Sequence, residues 1–172
     1  MATWSGIKKK LENDYLADSL KGRISYFATS YSYAPDHIGR AAIKLDGVEI
    51  LKSDYYKLQK LQWESYQELT AAAEEDQENS EIDSNAIWKQ SWLEATEKGG
   101  FDNQIFYTAF EEYDNQSIEK SLESNNALVR ILAVLDRRVG KRRLQDLAGI
   151  WKNEPEWIRL FLNLRLDAEN MR

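Results

Sequence analysis

Histidine and cysteine, which most often serve as nucleophiles, general bases or zinc ligands, are almost absent from this sequence. His37 is the sole histidine, and there is no cysteine. A Ser-His-Asp arrangement would have to use His37, yet no Gly-x-Ser-x-Gly elbow is present. Zinc needs three or four nitrogen or sulfur ligands, which one histidine cannot supply. We therefore expect His37 to lie in a hairpin turn, and we expect no metal or other cofactor.

Two stretches approach the patterns of cation or phosphate sites without completing them. An EF-hand loop across the acidic stretch would place Glu81 where glycine is required and Ile87 where a bidentate glutamate is required. Asp36 followed by Lys44 resembles the core of many nucleases, but Ala42 stands where a second carboxylate would hold Mg²⁺. The glycine-rich loop of a nucleotide-binding site is also missing. These patterns argue against calcium binding and nuclease activity.

A dense basic run is the clearest candidate binding feature. Five of the seven residues 137–143 are basic, in a chain whose net charge is −6. If one helix continued through Gly140, then Arg130, Arg137 and Lys141 would form a single stripe. The candidate binding residues are Arg130, Arg137, Arg138, Lys141, Arg142 and Arg143. The run is either a site for phosphate, nucleic acid or an acidic protein surface, or a solvated face that pairs with acidic residues of the fold.

A smaller polar cluster belongs to the N-terminal part of the chain. Its members are Arg23, Asp36, Arg40, Asp46 and Glu49. Arg40 with Asp36 or Glu49 is expected to form a structural ion pair, or else the rim of a small site. A third class of function, a metal-dependent hydrolase built on Asp36, Asp46 and Glu49, would predict stabilisation by divalent cations. We favour the structural pairing.

Length and composition predict one folded domain, residues 1–172. A chain of 172 residues can bury a substantial core, and 42% hydrophobic and 12% aromatic residues argue against disorder. No apolar run approaches the roughly 20 residues needed to span a bilayer. The N-terminal stretch lacks the apolar segment of a secretion signal. We therefore expect a cytoplasmic protein that does not act at a membrane.

Charge is segregated along the chain. Residues 53–114 carry 15 acidic and 4 basic groups, whereas residues 115–172 carry 8 acidic and 11 basic groups. An acidic middle and a basic end can attract each other within the fold or in neighbouring copies. The negative net charge disfavours an affinity of the whole protein for nucleic acid, although a local basic patch is compatible with it.

Residues 1–52 are predicted to form a helix followed by a β-meander. A stripe of apolar residues predicts a helix over residues 5–15. Alternating aromatic and β-branched residues predict antiparallel strands, and Asp46-Gly47 predicts a two-residue turn between the second and third. The predicted strands are residues 23–33, 40–45 and 48–52. Such a small sheet needs a helix against one face.

Residues 53–172 are predicted to form a helical body. Periodic apolar residues predict a long helix from residue 53, followed by a mobile acidic loop near 74–83. Later helices are predicted to begin after caps at Asp83 or Ser84, at Asp102, and at Asn125 or Asn126. The last helix, after Pro155, is apolar nearly all round. It is expected to be the most buried element, or part of a dimer contact.

The stretch from Asn125 to Trp151 predicts two amphipathic helices joined at Gly140 as a hairpin. Paired short helices between Phe101 and Met171 resemble HEAT-type repeats in packing style, which implies a shallow concave surface suited to binding a macromolecule. The predicted fold class is therefore α+β. A short three-stranded antiparallel β-meander near the N-terminus packs on a mainly α-helical body with HEAT-like helical hairpins at the C-terminal end.

Several short motifs carry a family resemblance. They are Trp4-Ser5-Gly6-Ile7-Lys8, Ser19-Leu20-Lys21-Gly22-Arg23, Asp36-His37-Ile38-Gly39-Arg40, Asp46-Gly47-Val48-Glu49-Ile50 and Leu135-Asp136-Arg137-Arg138-Val139-Gly140-Lys141-Arg142. Through these motifs the sequence resembles a family of small, uncharacterised bacterial proteins. The resemblance implies a bacterial cytoplasmic origin and brings no assigned activity.

Two functions remain in view. The first is a non-catalytic protein-interaction module, of a regulatory or toxin-neutralising type, that presents helical hairpins to a protein partner; the many aromatic residues support it because aromatics anchor interfaces. The alternative is a phosphate- or nucleic-acid-binding protein that uses the basic run 137–143. A homo-oligomer is compatible with either. Binding that weakens steeply with salt would favour the alternative.

Overall fold

A computed structural model describes residues 2–76 and 82–172. Within them it contains one three-stranded sheet and eight α-helices. The strands are β1 (Ile24–Thr29), β2 (Arg40–Leu45) and β3 (Val48–Asp54). The helices are α1 (Trp4–Lys9), α2 (Tyr55–Glu75), α3 (Ser84–Glu97), α4 (Asn103–Asp114), α5 (Ile118–Leu122), α6 (Ala127–Val134), α7 (Lys141–Ile150) and α8 (Glu156–Ala168). A π-helical segment, Lys10–Tyr15, continues α1, and 3₁₀ turns lie at Asp18–Leu20, Pro35–His37 and Trp151–Asn153.

The sheet is an antiparallel meander in the order β1-β2-β3, which confirms the predicted fold class. Asp46 and Gly47 adopt φ values of 50° and 84°, as a two-residue hairpin turn requires. β1 was expected to reach residue 33 but ends at Thr29, because β2 begins opposite it at Arg40 and offers no partner beyond. β3 continues to Asp54, whose side chain then caps α2 by accepting a hydrogen bond from the Lys57 N–H.

Helices cover one face of the sheet. Ile24, Tyr26 and Ile43 point to this face and are almost completely buried. The ring of Tyr26 lies 6.2 Å from that of Phe106 on α4, and the Tyr26 N–H donates to the Glu12 carboxylate in the π-helical segment. The small sheet thus obtains its stability from packing on helices, as its size demands.

The most buried element is α6 and not the last helix, so of the two alternatives for the last helix only a dimer contact stays a prediction. Every residue of α6 is buried, because α6 lies between α4, α5 and α8. In α8, by contrast, Leu160 is 40% exposed. The sequence of α6 is amphipathic only because it contains Arg130. The fold buries this arginine as well.

The long helical hairpin of the fold is α2–α3, an antiparallel pair. α6 and α7, which were predicted to form a hairpin joined at Gly140, instead pack mainly on other helices. Of the predicted acidic loop near 74–83, residues 74 and 75 belong to α2, and residues 77–81 lie outside the described part of the chain. In that part, no helix combines the length and the apolar character needed to cross a membrane.

Candidate functional site

The basic run does not form the continuous stripe that an uninterrupted helix would give. α6 ends at Val134, and the loop that follows crosses back to the N-terminal segment. The Ala17 N–H donates to the Leu135 carbonyl, and the Arg137 N–H donates to the Tyr15 carbonyl. A new helix, α7, then starts at Lys141. The six candidate residues are therefore divided among a buried helix, a loop and the first turn of a second helix.

Arg130 is a structural residue of α6. It is almost fully buried, and its guanidinium donates to the Ser124 carbonyl at 2.7 Å and to the carboxylates of Glu154 at 3.1 Å and Glu97 at 3.5 Å. Burial raises the pKa of Glu97, and the charge of Arg130 opposes that rise. These contacts tie α6 to the end of α3 and to the start of α8, so the charge of Arg130 is not available to an external ligand.

Arg138 is engaged with a completely buried carboxylate. Its Nη2 lies 2.7 Å from Oδ2 of Asp136, and the Tyr113 hydroxyl donates to the same carboxylate. The guanidinium also stacks over the rings of Tyr15 and Tyr113, at 5.0 and 5.9 Å from their centroids. Burial and the charge of Asp136 raise the pKa of the Tyr113 hydroxyl well above its ordinary value. Arg138 therefore holds the loop between α6 and α7 in place.

The remaining four cations, which we call the basic surface, are accessible but divided: Arg137 and Lys141 line one cleft, and Arg143 lines another beside Glu123 and Asp146. Arg137, Lys141 and Arg142 are exposed and Arg143 is half-buried, and in residues 2–76 and 82–172 none of the four has a carboxylate within ion-pair distance. Three of them occupy the first turn of α7, where Gly140 supplies no capping side chain and no acidic residue is present. A cleft of about 280 Å³ opens beside Arg137 and Lys141, although Asp18 and Glu169 also line it.

The N-terminal polar cluster separates into two surface pairs. Arg23 makes a two-pronged ion pair with Asp46, with contacts of 3.1 and 2.8 Å. Arg40 pairs with Glu49 across the outer face of the sheet. Asp36 lies apart from both, in the turn that also contains the exposed His37.

These pairs do not make a metal site. No group of three or more acidic or histidine side chains in the described ranges is arranged to hold a metal ion. Asp36, Asp46 and Glu49 are therefore not assembled as a metal-dependent hydrolase would need. The geometry agrees with the structural pairing that the sequence analysis favoured for Arg40 and Glu49.

The surface that the sequence analysis missed lies on the α2–α3 hairpin, whose interior is polar. The buried positions of the two helices are Leu58, Gln62, Ser65, Ser91 and Ala95, and three of these five are polar. The Gln62 amide donates to the Ser91 hydroxyl at 2.9 Å, and the Lys98 ammonium donates to the Ser65 hydroxyl at 2.9 Å. A helical hairpin normally buries mainly apolar residues between its helices, so this interior is unusually polar.

A row of aromatic residues crosses the hairpin, with Tyr66 and Trp92 half-buried and Trp63 and Trp88 exposed. Trp63, Tyr66, Trp88 and Trp92 form a continuous row in which successive ring centroids are 5.8, 5.6 and 6.0 Å apart. Trp63 is 53% exposed and Trp88 is 45% exposed, and Leu93, next to Trp92 in α3, is 61% exposed. We call these four rings the aromatic face. Exposed indoles in contact with one another are typical of surfaces that bind other proteins.

Sequence periodicity does not reveal that this row reaches the surface. Tyr66, Trp88 and Trp92 recur at the spacing of an apolar helical stripe, and spacing alone cannot say which stripe faces inward. The sequence of α2 nonetheless contains a signal that its buried stripe is polar. Gln62 and Ser65 stand four and seven residues after Leu58, at the centre of the stripe that the fold does bury.

The chain can now be compared with known proteins. The model of the SF0329 protein family matches residues 3–166, which is nearly the whole length. The chain belongs to the SF0329 protein family. No curated protein and no solved structure matches it.

The match extends further along the chain than the short motifs that carried the resemblance. The match includes α2 and α3, which lie between the two groups of motifs. Both the aromatic face and the basic surface at the start of α7 fall inside the region that matches the SF0329 family. Any function of either surface therefore belongs to the region that matches the family.

Proposed function

We propose that this SF0329 family member is a non-catalytic protein-interaction module of the bacterial cytoplasm, of a regulatory or toxin-neutralising type. It presents the α2–α3 hairpin to a protein partner. One observation carries the proposal: three of the five buried positions of the hairpin are polar, while Trp63 and Trp88 of its aromatic row are exposed. A partner that covers the aromatic face supplies the apolar contact that the interior of the hairpin lacks.

The energetics favour covering this face. Burying apolar surface contributes about 25 cal/mol per Å², so the exposed halves of two indoles alone represent several kcal/mol of available binding free energy. Trp and Tyr are enriched among the few residues that dominate protein interfaces. The aromatic face is also held in position before binding, because Asp54 and Asp83 cap the two helices that carry it.

The direct test is affinity capture from a nuclease-treated bacterial extract, using the native chain and the double variant Trp63→Ala, Trp88→Ala as baits. Ile150→Ala is the matched control, because Ile150 is an apolar residue of α7 that is 70% exposed. We expect a stoichiometric protein that the native chain and the control retain and the double variant loses. Equal recovery by all three baits would contradict the proposed use of the aromatic face.

A specific observation supports the alternative function, phosphate or nucleic-acid binding. Lys141, Arg142 and Arg143 occupy the first turn of α7, where the positive end of the helix dipole disfavours cations. A bound phosphate would accept hydrogen bonds from the free N–H groups there and neutralise this charge. Arg137 would add a fourth cation, since it lines the same cleft as Lys141.

Salt titration tests the alternative. The anisotropy of a labelled oligonucleotide is measured with the native chain and with the triple variant Arg137→Glu, Arg142→Glu, Arg143→Glu. The control with the same change in charge is Lys9→Glu, Lys52→Glu, Lys120→Glu. The alternative predicts native affinity that falls steeply with salt, is lost in the first variant and is kept in the control. Equal loss in both variants would show that only net charge matters.

A further inference from the structure

The α2–α3 hairpin needs a second layer of helices on its aromatic side. Two helices are a stable unit only when their apolar faces are covered, and here Trp63 and Trp88 of the aromatic face are exposed. We propose that the aromatic face is covered by the same face of a second copy of this chain, which gives a four-helix bundle with twofold symmetry. This inference rests on the proposed function, because it names the partner of the same surface.

The aromatic row is suited to its own copy. The row has an indole at each end, Trp63 and Trp92, and its two central rings are Tyr66 and Trp88. A twofold axis between the two central rings would place Trp63 of one copy against Trp92 of the other. Every ring would then meet another aromatic ring, and such a self-matching patch is what a twofold interface requires.

Charge does not oppose this contact. Gln59 and Thr70, which lie among the rings at the same helical spacing, are uncharged. Of the four glutamates of α2, Glu68 pairs with Lys98 and Glu64 pairs with Lys60, whereas Glu74 and Glu75 lie at the end of the helix, two turns beyond Tyr66. The rings of two copies can therefore meet without bringing these carboxylates face to face, although each chain has a net charge of −6.

The size of the face also matches a dimer. α2 and α3 have 21 and 14 residues. At 1.5 Å of rise per residue, α2 is about 30 Å long and α3 about 20 Å long, so with a width of about 10 Å for each helix the pair presents roughly 500 Å². Two such faces bury about 1,000 Å² in total, the size of a weak, reversible complex. The contact is therefore expected to be a reversible dimer whose population depends on concentration.

Sedimentation velocity on the untagged native chain is the first measurement. A species of twice the 20.0 kDa chain mass that appears as concentration rises is expected. The tryptophan emission should shift to shorter wavelength over the same concentrations, because Trp63 and Trp88 become buried. A chain that remains a monomer at all concentrations, with unchanged emission, would overturn the proposal.

Three variants assign the dimer to this face. Trp63→Lys and Trp88→Lys are each expected to raise the dissociation constant of the dimer by about 100-fold, since each change removes two anchors from a symmetric contact. Ile150→Lys is the control, because it adds the same charge at an exposed apolar residue of α7 and should leave the dimer intact. Circular dichroism confirms that each variant is folded. A dimer that persists in both tryptophan variants would use another surface and would overturn the inference.

Failure of this inference differs from failure of the proposed function. A monomeric chain whose captured protein is lost with Trp63→Ala, Trp88→Ala would show that the aromatic face takes a different protein, so only the dimer would be wrong. A monomer that captures nothing through Trp63 and Trp88 would contradict both. A dimer lost in the tryptophan variants supports both, because the second copy is then the partner.

Discussion

The guanidinium of Arg138 lies 2.7 Å from the carboxylate of Asp136, a side chain with no exposure to solvent. Asp136 also accepts the backbone N–H of Arg138 and the hydroxyl of Tyr113. The pair stands where the α6–α7 loop bridges to Leu16, so it joins the N-terminal segment to the C-terminal helices. Arg138, in the middle of the basic run, therefore stabilises the contact between these two parts of the fold. Only its exposed neighbours are accessible to a ligand.

Removing the cation of Arg138 should lower the stability of the protein more than removing the charge of Asp136. Arg138→Met leaves the buried Asp136 carboxylate without a cation and is expected to lower the free energy of unfolding by about 3 kcal/mol. Asp136→Asn leaves Arg138, which is partly exposed and can be hydrated, so the expected loss is about 1.5 kcal/mol. Urea unfolding measures both. Arg137→Ala, next to the pair but exposed, is the control and should change stability by less than about 0.5 kcal/mol.

The double variant completes this experiment. Because the two side chains contact each other, its loss should be smaller than the sum of the single losses. Losses that simply add would mean that Asp136 and Arg138 stabilise the fold independently.

Because of the buried hydroxyl of Tyr113, the free energy of unfolding should fall at alkaline pH. Burial and the neighbouring Asp136 raise the pKa of its hydroxyl in the folded state above the ordinary value of 10.0. The unfolded chain therefore releases this proton above about pH 10 while the folded chain keeps it. Stability should be unaffected below that pH and should then fall by up to about 1.4 kcal/mol per pH unit from this group. Urea unfolding at several pH values between about 8 and 11 measures the slope.

Matched variants assign that slope to its source. Tyr113→Phe should reduce the alkaline slope, and Tyr26→Phe should do the same, because burial also raises the pKa of the Tyr26 hydroxyl. Tyr33→Phe, at an exposed tyrosine, should leave the slope of the native chain unchanged. Identical slopes in all three variants would contradict the assignment.

Local chemistry explains which parts of the fold could be predicted from sequence. The Asp46-Gly47 turn needs only two residues that accept positive φ. The side chains of Asp83, Asp102 and Asn126 each accept a hydrogen bond at the start of a helix, as their residue types predicted. In each case cause and effect lie within a few residues of each other, so no knowledge of the tertiary fold is required.

Distant partners explain what could not be predicted. Arg130 is buried because Glu97 and Glu154, more than 20 residues away on either side, meet it in the fold. The aromatic face has the helical period of a core stripe, and only the position of α2 against α3 shows that it is exposed. The candidate basic residues were identified by composition, but their division into structural and accessible groups depends on where α6 ends.

Replacement by alanine should have opposite effects on stability at two glycines. A Cβ at Gly39 would lie 1.9 Å from the Thr29 carbonyl oxygen, so Gly39→Ala forces the start of β2 away from β1 and should cost about 3 kcal/mol or more. Gly149 lies inside α7 with open space around it, and Gly149→Ala should stabilise the protein by about 0.7 kcal/mol through helix propensity. Thermal unfolding of both variants is the measurement, and a fall in melting temperature for Gly149→Ala would contradict the assignment of α7.

The first turn of α7 provides a test that links stability to the basic surface. Arg142→Glu replaces a cation with an anion at the positive end of the helix dipole, which should stabilise the protein by about 1 kcal/mol at low ionic strength. The melting temperature should rise by about 2–4 °C. Lys89→Glu makes the same change in charge in the middle of α3, away from either end of that helix, and should have little effect. If phosphate binds here, it should raise the melting temperature of the native chain more than that of Arg142→Glu. An Arg142→Glu variant that melts below the native chain in dilute chloride would contradict the electrostatic argument.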